Sequence, residues 1–286
     1  MIYTTLISVT ELMALQSQGQ PLVVFDCSFE LSNPQAGIEQ YAQEHLAGAH
    51  YVHLDTALSA KGAPDAASGG RHPLPSRRNF AAWAGQQGLT PETQVVVYDR
   101  QGLNYCGRLW WMLKWLGHEA VAVLDGGLQA WKAGGGALSQ DVPAAPIPTV
   151  YPELAPLATL KTAQDVAAHL GHPDQTVVDA RSAPRYRGET EPLDPVAGHI
   201  PGALNRLFSS NLGADGRLKP AAQLREEFTA LLGRRDPASV VHQCGSGVSA
   251  VPNLLAMEVA GLGRTALFAG SWSEWCTTAS LPVAQG

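Results

Sequence analysis

The sequence predicts an α/β protein of two tandem domains, each a mainly parallel β-sheet flanked by helices. Three observations lead to this prediction. The chain is 286 residues long, about twice the length of a typical domain. Segments of its first half recur in the second half in the same order. Within each half, short apolar runs alternate with helical patterns, as expected for strands joined by helical crossovers.

The internal repeat is long and domain-sized. Two early segments recur at offsets of 153 and 154 residues, and two later segments recur at offsets of 145 and 144. The matched pairs are LVVFDCS and TVVDARS, HLAGA and HIPGA, QVVVYD and SVVHQC, and AVAVLDGGLQAW and TALFAGSWSEW. The drop in offset places a longer Gly/Pro-rich excursion in the first half, from about Leu58 to Pro75. The repeat therefore indicates a duplicated domain with one change in length.

The predicted elements alternate along both halves. Apolar, β-branched runs typical of buried strands lie at 22–25, 95–98, 121–124, 177–178, 240–242 and 266–268. Patterns typical of helices lie at 77–87, 105–116, 221–232 and 248–259. Strands separated by helices pair most simply as parallel neighbours, with helices covering both faces of the sheet.

A proline-rich stretch separates the two halves. Five prolines lie between Pro143 and Pro156, where the chain cannot sustain a helix or a central strand. Such a segment favours extended backbone and is typical of a linker. We therefore expect a first domain at residues 1–140, a linker at 141–158 and a second domain at 159–286.

Charge and composition exclude several classes of partner. The chain has 19 basic and 25 acidic residues and a formal charge of −6, so it offers no broad cationic surface to nucleic acid or to anionic lipid. No Lys or Arg precedes Lys61, and no apolar run approaches the length of a membrane span, which favours a cytoplasmic protein. The four cysteines are widely separated and form no CxxC pair, so we expect no metal site.

Cys244 is the strongest candidate for a reactive group. It ends the strand SVVHQ and is followed by Gly-Ser-Gly and a helical run. Gly245 and Gly247 allow the backbone to curl with its N–H groups pointing inward, and the start of a helix adds further donors. These groups stabilise a thiolate, whereas a buried, inert thiol is the alternative interpretation.

The repeat supplies an internal comparison for this cysteine. The matching residue of the first half is Asp99, which cannot act as a sulfur nucleophile, so we expect only the second domain to be catalytic.

A phosphatase of the HCxxxxxR type is the main alternative reaction. That pattern needs His before the cysteine and Arg six residues after it, where this chain has Gln243 and Ala250, so no arginine is present to hold a phosphate.

The chain resembles the rhodanese superfamily, and more closely its two-domain sulfurtransferases, over nearly its whole length. The resemblance is carried by EHLAGAHYVHLD, GRHPLP, VVVYD, LDGGLQAW, VVDARSAPRYRGE, GHIPGALN, CGSGVSA and GSWSEW. It implies that the Cys244 thiolate accepts a sulfane sulfur as a persulfide and passes it to a small thiol, thioredoxin or cyanide, without a cofactor. The other residues of the active loop, which are expected to bind the substrate, are Gly245, Gly247, Val248 and Ser249.

The resemblance also implies roles for residues outside the loop. Ser246, His72 and Asp55 match the residues that handle a proton when 3-mercaptopyruvate is the donor, and Arg185 matches the arginine that binds the donor carboxylate. A second arginine, expected about nine residues after Arg185, is absent, because Leu193, Asp194 and Pro195 occupy that region. Two other arginines are candidates to replace it, namely Arg206 and Arg187.

The donor stays open between two compounds. CGSGVSA is similar to the loop of mercaptopyruvate enzymes, which favours that donor, and a thiosulfate sulfurtransferase is the alternative. An alternative of another class is a non-catalytic scaffold that binds or senses sulfur.

Overall fold

A computed structural model describes residues 2–286, which divide into two compact units. Among the described residues, the first unit comprises 2–60, 75–157 and 212–218, and the second comprises 61–74, 158–211 and 219–286. Within the described residues, each unit contains a parallel sheet of five strands with helices around it. The predicted α/β architecture is confirmed.

The sheet of the first unit has the strand order β1-β6-β5-β2-β4. Its strands are β1 (Leu6–Ile7), β2 (Leu22–Asp26), β4 (His50–Tyr51), β5 (Gln94–Tyr98) and β6 (Val121–Leu124), while β3 (His45–Leu46) and β7 (Leu138–Ser139) form a separate antiparallel pair. Its helices are α1 (Val9–Ser17), α2 (Ala36–Gln43), α3 (Arg77–Gln86), α4 (Cys106–Leu116) and α5 (Gly127–Ala133). Every residue of β5 is buried, because helices cover both faces of a parallel sheet.

The sheet of the second unit has the order β10-β9-β11-β12-β8. Its strands are β8 (Thr159–Lys161), β9 (Thr176–Asp179), β10 (Leu204–Asn205), β11 (Val240–Gln243) and β12 (Ala266–Phe268). Its helices are α6 (Ala163–Ala168), α7 (Ala183–Arg187), α8 (Ala221–Leu232), α9 (Val251–Val259) and α10 (Ser271–Trp275), with 3₁₀ turns at Phe208–Asn211 and Pro237–Ser239. The central strand β11, which precedes Cys244, is buried throughout.

The two sheets have the same topology. The first strand of each unit lies at one edge, and the fourth strand of the main sheet in chain order, β5 or β11, lies at its centre. The first helix of each unit also begins in the same way, with a capping box in which Ser8 pairs with Glu11 and Thr162 pairs with Asp165. The duplication seen in the sequence therefore extends to local hydrogen bonding.

Three features differ from the predicted boundaries. Helix α9 begins at Val251 rather than at residue 248, which leaves a loop of six residues after Cys244. The stretch 141–158 contains no helix or strand, and Thr149 in it donates a backbone hydrogen bond to Gly85 of the first unit. Residues 61–74, most of the predicted excursion, belong to the second unit although the sequence places them in the first half. We call residues 61–74 the strap.

His242 gives the second unit a specific sensitivity to acid. Its side chain is fully buried against Met257, and burial lowers its pKa to about 3. Because the unfolded chain binds a proton near pH 6.5 and the folded chain does not, stability present above pH 6.5 is lost as the pH falls toward 3. We expect a loss of about 2 kcal/mol between pH 7 and pH 5 from this residue. Chemical denaturation at several pH values measures it; His242→Leu should flatten the dependence and the exposed His172→Gln should not, and equal slopes would contradict the assignment.

Candidate active site

Cys244 lies at the carboxyl end of the central strand of the second unit. Its side chain is almost fully buried, and both of its backbone polar groups are fixed by the start of α10. The backbone N–H of Cys244 donates to Ser271 Oγ at 3.1 Å, and its carbonyl oxygen accepts from the N–H of Trp272 at 3.0 Å. The cysteine is therefore held in one position before the loop begins.

Gly247 makes the tight path of this loop possible. Its φ is +72°, and a Cβ atom at this position would lie 2.1 Å from the carbonyl oxygen of Ala269. Neither the left-handed backbone nor the close approach admits a side chain. The glycine that the sequence analysis assigned to the loop is thus required by the packing of the loop against the residue after β12.

Ser271 is a functional candidate that the sequence analysis missed. Its φ is +55°, a conformation that non-glycine residues rarely adopt, and the equivalent residue of the first unit is Gly127 with a φ of +57°. The Ser271 hydroxyl donates to the carbonyl of Phe268 at 2.9 Å while accepting from Cys244. The hydrogen bonds of the Ser271 side chain offset the cost of this strained backbone and hold Cys244 in position. The alignment of LDGGLQAW with FAGSWSEW carried the signal, because it sets a serine opposite a glycine.

The strap brings His72 to the active loop. His72 Nδ1 and Ser246 Oγ share a hydrogen bond of 2.7 Å, and both side chains are buried. The strap is anchored next to this histidine, because the backbone N–H of Arg71 donates to Ser273 Oγ at 2.9 Å. Asp55 lies in the first unit after β4, where its backbone N–H donates to His53, and its role toward His72 stays a prediction.

Arg185 lies beside the loop in an ion-pair network. It pairs with Glu191 at 2.6 Å and with Asp194 at 3.4 Å. Asp194, which occupies the region where a second arginine was expected, also pairs with Arg71 of the strap at 2.7 Å. Arg71 is a second residue that the sequence analysis missed, although it directly precedes His72 in GRHPLP.

The two arginines proposed as replacements are engaged elsewhere. Within residues 2–286 the Arg206 guanidinium donates only to Asn211 and Glu227, and it lies 4.3 Å from the ring centre of Phe228. These contacts make Arg206 part of the packing of α8, and its assignment to the substrate stays a prediction. Arg187 is largely exposed and pairs with Glu189.

The equivalent loop of the first unit shows what its backbone N–H groups can bind. Six residues separate Asp99 from α4, the same number as between Cys244 and α9. The Asp99 carboxylate accepts four backbone hydrogen bonds of 2.8–3.0 Å, from the second, fourth, sixth and seventh residues that follow it. Those residues are Gln101, Leu103, Tyr105 and Cys106. A loop of this length therefore forms an anion cradle.

In the second unit three of the four corresponding donors have no such acceptor. The second, fourth and sixth residues after the cysteine are Ser246, Val248 and Ala250, and no hydrogen bond formed within residues 2–286 uses their backbone N–H groups. The seventh residue, Val251, donates to the carbonyl of Val248 at 3.1 Å. The Cys244 side chain supplies no carboxylate to fill the cradle. The loop can accept an anionic group at the cysteine sulfur instead.

The other three cysteines are disfavoured as nucleophiles because the pKa values of their thiols are raised. All four cysteines, which lie in the described part of the chain, are free thiols. Burial raises the pKa of Cys27 and Cys106 well above the usual range, and the charge of Asp99 raises both further. Burial also raises the pKa of Cys276, the most exposed of the three. Thiolate formation, on which sulfur nucleophilicity depends, is disfavoured at all three positions.

Residues 2–286 contain neither a cluster of metal-binding side chains nor a membrane-spanning helix. No group of three or more His, Cys, Asp or Glu side chains is placed to hold a metal ion. None of the helices in this part of the chain combines the length and apolar character needed to cross a bilayer.

Comparison with known proteins identifies the class. The sequence model of the rhodanese-like domain family matches this chain twice, at residues 8–134 and at residues 162–278. The chain belongs to the rhodanese family and contains two rhodanese-like domains.

Full-length relatives refine this placement. The chain is 44% identical over 278 residues to a probable 3-mercaptopyruvate sulfurtransferase of Pseudomonas aeruginosa, with 96% of each chain covered. It is 37% identical over 291 residues to a putative thiosulfate sulfurtransferase of Mycobacterium tuberculosis, covering 98% of this chain and 97% of the relative. The solved 3-mercaptopyruvate sulfurtransferase of Leishmania major matches with a TM-score of 0.78 at 30% identity, covering 95% of this chain and 74% of that one.

The close approach at Gly247 generates a stability test. Gly247→Ala should lower the free energy of unfolding by about 3 kcal/mol or more, because the new methyl group meets a backbone oxygen in addition to the left-handed φ. Gly171 is a matched control, since its φ is +76° and nothing lies within 4 Å of its Cβ position. Gly171→Ala should cost only about 1 kcal/mol. Urea denaturation compares the two, and equal losses would contradict the packing argument.

Proposed function

We propose that this protein is a sulfurtransferase that moves a sulfane sulfur from 3-mercaptopyruvate to a thiol acceptor through a persulfide on Cys244. The observation that carries the proposal is the anion-cradling loop at Cys244, which also holds the Ser246–His72 hydrogen bond. The second domain is the catalytic one in this proposal. The first is non-catalytic, because Asp99 fills its own cradle.

The first half-reaction is a nucleophilic displacement at sulfur. The Cys244 thiolate attacks the thiol sulfur of 3-mercaptopyruvate, and the bond between that sulfur and C3 breaks. The electron pair of the broken bond goes to carbon and gives the enolate of pyruvate, which then takes a proton. The thiol proton of the donor balances this uptake, so Cys244 is left as an anionic persulfide and pyruvate is released.

Ser246 and His72 are suited to the proton transfer. Their 2.7 Å hydrogen bond joins a hydroxyl in the active loop to an imidazole, the side chain most often used in general acid–base catalysis. Ser246 lies two residues from the nucleophile and can donate to the enolate while His72 replaces the proton. Asp55 keeps its proposed role in orienting His72.

The loop stabilises the persulfide anion. The N–H groups of Ser246, Val248 and Ala250 correspond to donors that hold the Asp99 carboxylate in the first unit. A terminal sulfur bonded to Cys244 extends the side chain by one atom and carries the negative charge that such donors favour. Gly245, Gly247 and Ser249 complete the substrate-binding loop.

The second half-reaction returns the enzyme to its starting state. The acceptor thiol gives its proton to the persulfide anion, and the resulting acceptor thiolate attacks the outer sulfur. The S–S bond breaks, which releases the Cys244 thiolate and a new persulfide on the acceptor. Cyanide can attack the same sulfur and leave as thiocyanate. We propose a small thiol or thioredoxin as the acceptor and the cytoplasm as the location, where thiols stay reduced as the four free cysteines require.

Thiosulfate is the second candidate donor. It would transfer its outer sulfur to Cys244 and leave as sulfite, and the Mycobacterium tuberculosis relative bears that name. The Ser246–His72 pair favours mercaptopyruvate, since sulfite leaves without needing a proton. The Pseudomonas aeruginosa relative named for mercaptopyruvate is also more similar to this chain.

The persulfide generates the most direct test of function. Incubation of the protein with 3-mercaptopyruvate should add the mass of one sulfur atom to the peptide that contains Cys244 and release pyruvate. Cys244→Ser should abolish both results, whereas Cys276→Ser should retain them. Intact mass spectrometry with peptide mapping measures the adduct. Turnover by Cys244→Ser would refute Cys244 as the nucleophile, and a wild-type protein that gains no sulfur and releases no pyruvate would support a non-catalytic scaffold instead.

The proton-transfer role predicts a dependence on the donor. His72→Ala should lower kcat for 3-mercaptopyruvate by about 100-fold, within the usual contribution of general acid–base catalysis, and should change kcat for thiosulfate by less than about threefold. Ser246→Ala should show the same selectivity. Steady-state kinetics with cyanide as the common acceptor measure both donors, with the exposed His172→Ala as a control. An equal loss with both donors would show that His72 has a structural role only.

A further inference from the structure

The carboxyl-terminal part of the strap forms a closed turn. The backbone N–H of Ala67 donates to the carbonyl of Leu74 at 2.8 Å, and the backbone N–H of Leu74 donates to Ser68 Oγ at 2.9 Å. These hydrogen bonds join the two ends of the turn and leave residues 69–72, the last of which is His72, at its tip. Because the turn closes on itself, the position of the imidazole depends on what holds this tip.

Glu274 of α10 contacts the tip of the strap. The backbone N–H of Gly69 donates to the Glu274 carboxylate, and a Cβ atom on Gly69 would lie 2.7 Å from Glu274 Cδ. A Cβ atom on Gly270 would also collide with this carboxylate. The Glu274 side chain is therefore enclosed between two glycines, one in the strap and one directly before α10.

The surroundings of this carboxylate make it costly to keep. Glu274 Oε2 is buried and has no hydrogen-bond partner within residues 2–286, and burial raises the pKa of the carboxyl above its usual range. An apolar side chain would avoid this desolvation cost, but it could not accept the hydrogen bond from Gly69. The feature that only an acceptor supplies at this position is the attachment of the strap.

Ser273 joins the same attachment to the active loop. Its backbone N–H donates to the carbonyl of Gly245 at 2.9 Å, and its hydroxyl oxygen accepts from the backbone N–H of Arg71 at 2.9 Å. Two consecutive residues of α10 thus hold the strap tip, and one of them is also bonded to the active loop. The hydrogen bond between His72 and Ser246 closes this ring of contacts.

The first unit lacks the carboxylate. Ala130 occupies the position equivalent to Glu274, and its methyl group packs against Gly126. Gln129, one residue earlier, donates its side-chain amide to the carbonyl of Arg100 at 2.9 Å. The buried acid therefore belongs to the unit that is proposed as catalytic and is missing from its duplicate.

We infer that Glu274 is a positioning residue, which fixes the tip of the strap so that His72 stays within hydrogen-bond distance of Ser246 during proton transfer. The proton transfer in this inference rests on the proposed function. Glu274 acts on the reaction only through the strap. A displacement of a proton-transfer group by about 1 Å costs up to about 100-fold in rate, so a loose tip would be felt in kcat.

A double-mutant cycle tests whether Glu274 acts through His72. Glu274→Ala should lower kcat for 3-mercaptopyruvate by about 30-fold in the wild-type background and by less than about twofold in the His72→Ala background, because the strap then carries no imidazole to position. Glu274→Gln keeps an oxygen that can accept from Gly69 and should stay within about threefold of the wild type. Glu226→Ala, at an exposed position of α8, is the control and should leave kcat unchanged.

Limited proteolysis measures the strap directly and needs no turnover. Trypsin cleaves after Arg71 at the tip and after Lys61, an exposed residue at the other end of the strap. Glu274→Ala should raise the rate of cleavage after Arg71 by about tenfold and change the rate after Lys61 by less than about twofold. Where Glu274→Ala does not fold, Gly69→Ala carries both measurements, since its methyl group meets the Glu274 carboxylate from the side of the strap and displaces the tip.

The outcomes separate the inference from the proposed function. Equal losses of kcat in the two backgrounds, or an unchanged rate of cleavage after Arg71, would overturn the assignment of Glu274 while leaving sulfur transfer intact. A wild-type protein that forms no persulfide from 3-mercaptopyruvate would refute the proposed function, and the cleavage rates would then still decide whether Glu274 holds the strap.

Discussion

The candidate site of the second unit depends on a six-residue loop in which three backbone N–H groups form no hydrogen bond within residues 2–286. Strand β11 delivers Cys244 to the start of this loop, and Gly247 lets the loop turn against the backbone of Ala269. Ser271 accepts an unfavourable conformation and fixes the cysteine from the other side. The donors are thereby arranged before any substrate arrives, which is the condition under which electrostatic stabilisation is most effective.

The two duplicated domains differ in the side chain that faces the backbone N–H groups of this loop. In the first unit Asp99 supplies a permanent negative charge, and its carboxylate satisfies four N–H groups at once. In the second unit Cys244 holds the equivalent position, and its side chain brings no carboxylate to the loop. The two loops therefore differ in the group at the end of the central strand, although both sheets keep the same strand order.

Much of the fold and the centre of the site follow from local sequence patterns. The strands at 121–124 and 266–268 and the helix at 221–232 were predicted correctly, because hydrophobic periodicity acts over a few residues. The assignment of Cys244 and its glycines to the site rests on turn chemistry of the same short range and stays a prediction. Arg71 and Ser271 could not be found in this way. Their roles depend on contacts with residues more than 20 positions away, and no local pattern encodes which arginine meets Asp194. Helix α9 begins three residues late because the loop needs those residues.

The strap places residues from the first half of the sequence in the candidate site of the second unit. A fragment that begins at residue 159 retains Cys244, Ser246 and Arg185 but lacks both Arg71 and His72. Division of the chain at the proline-rich stretch therefore yields two pieces, each with its own parallel sheet, and divides the site between them. The fourteen residues of the strap belong to the first half of the sequence and to the second compact unit of the structure. The second compact unit therefore includes residues that the sequence repeat assigns to the first half.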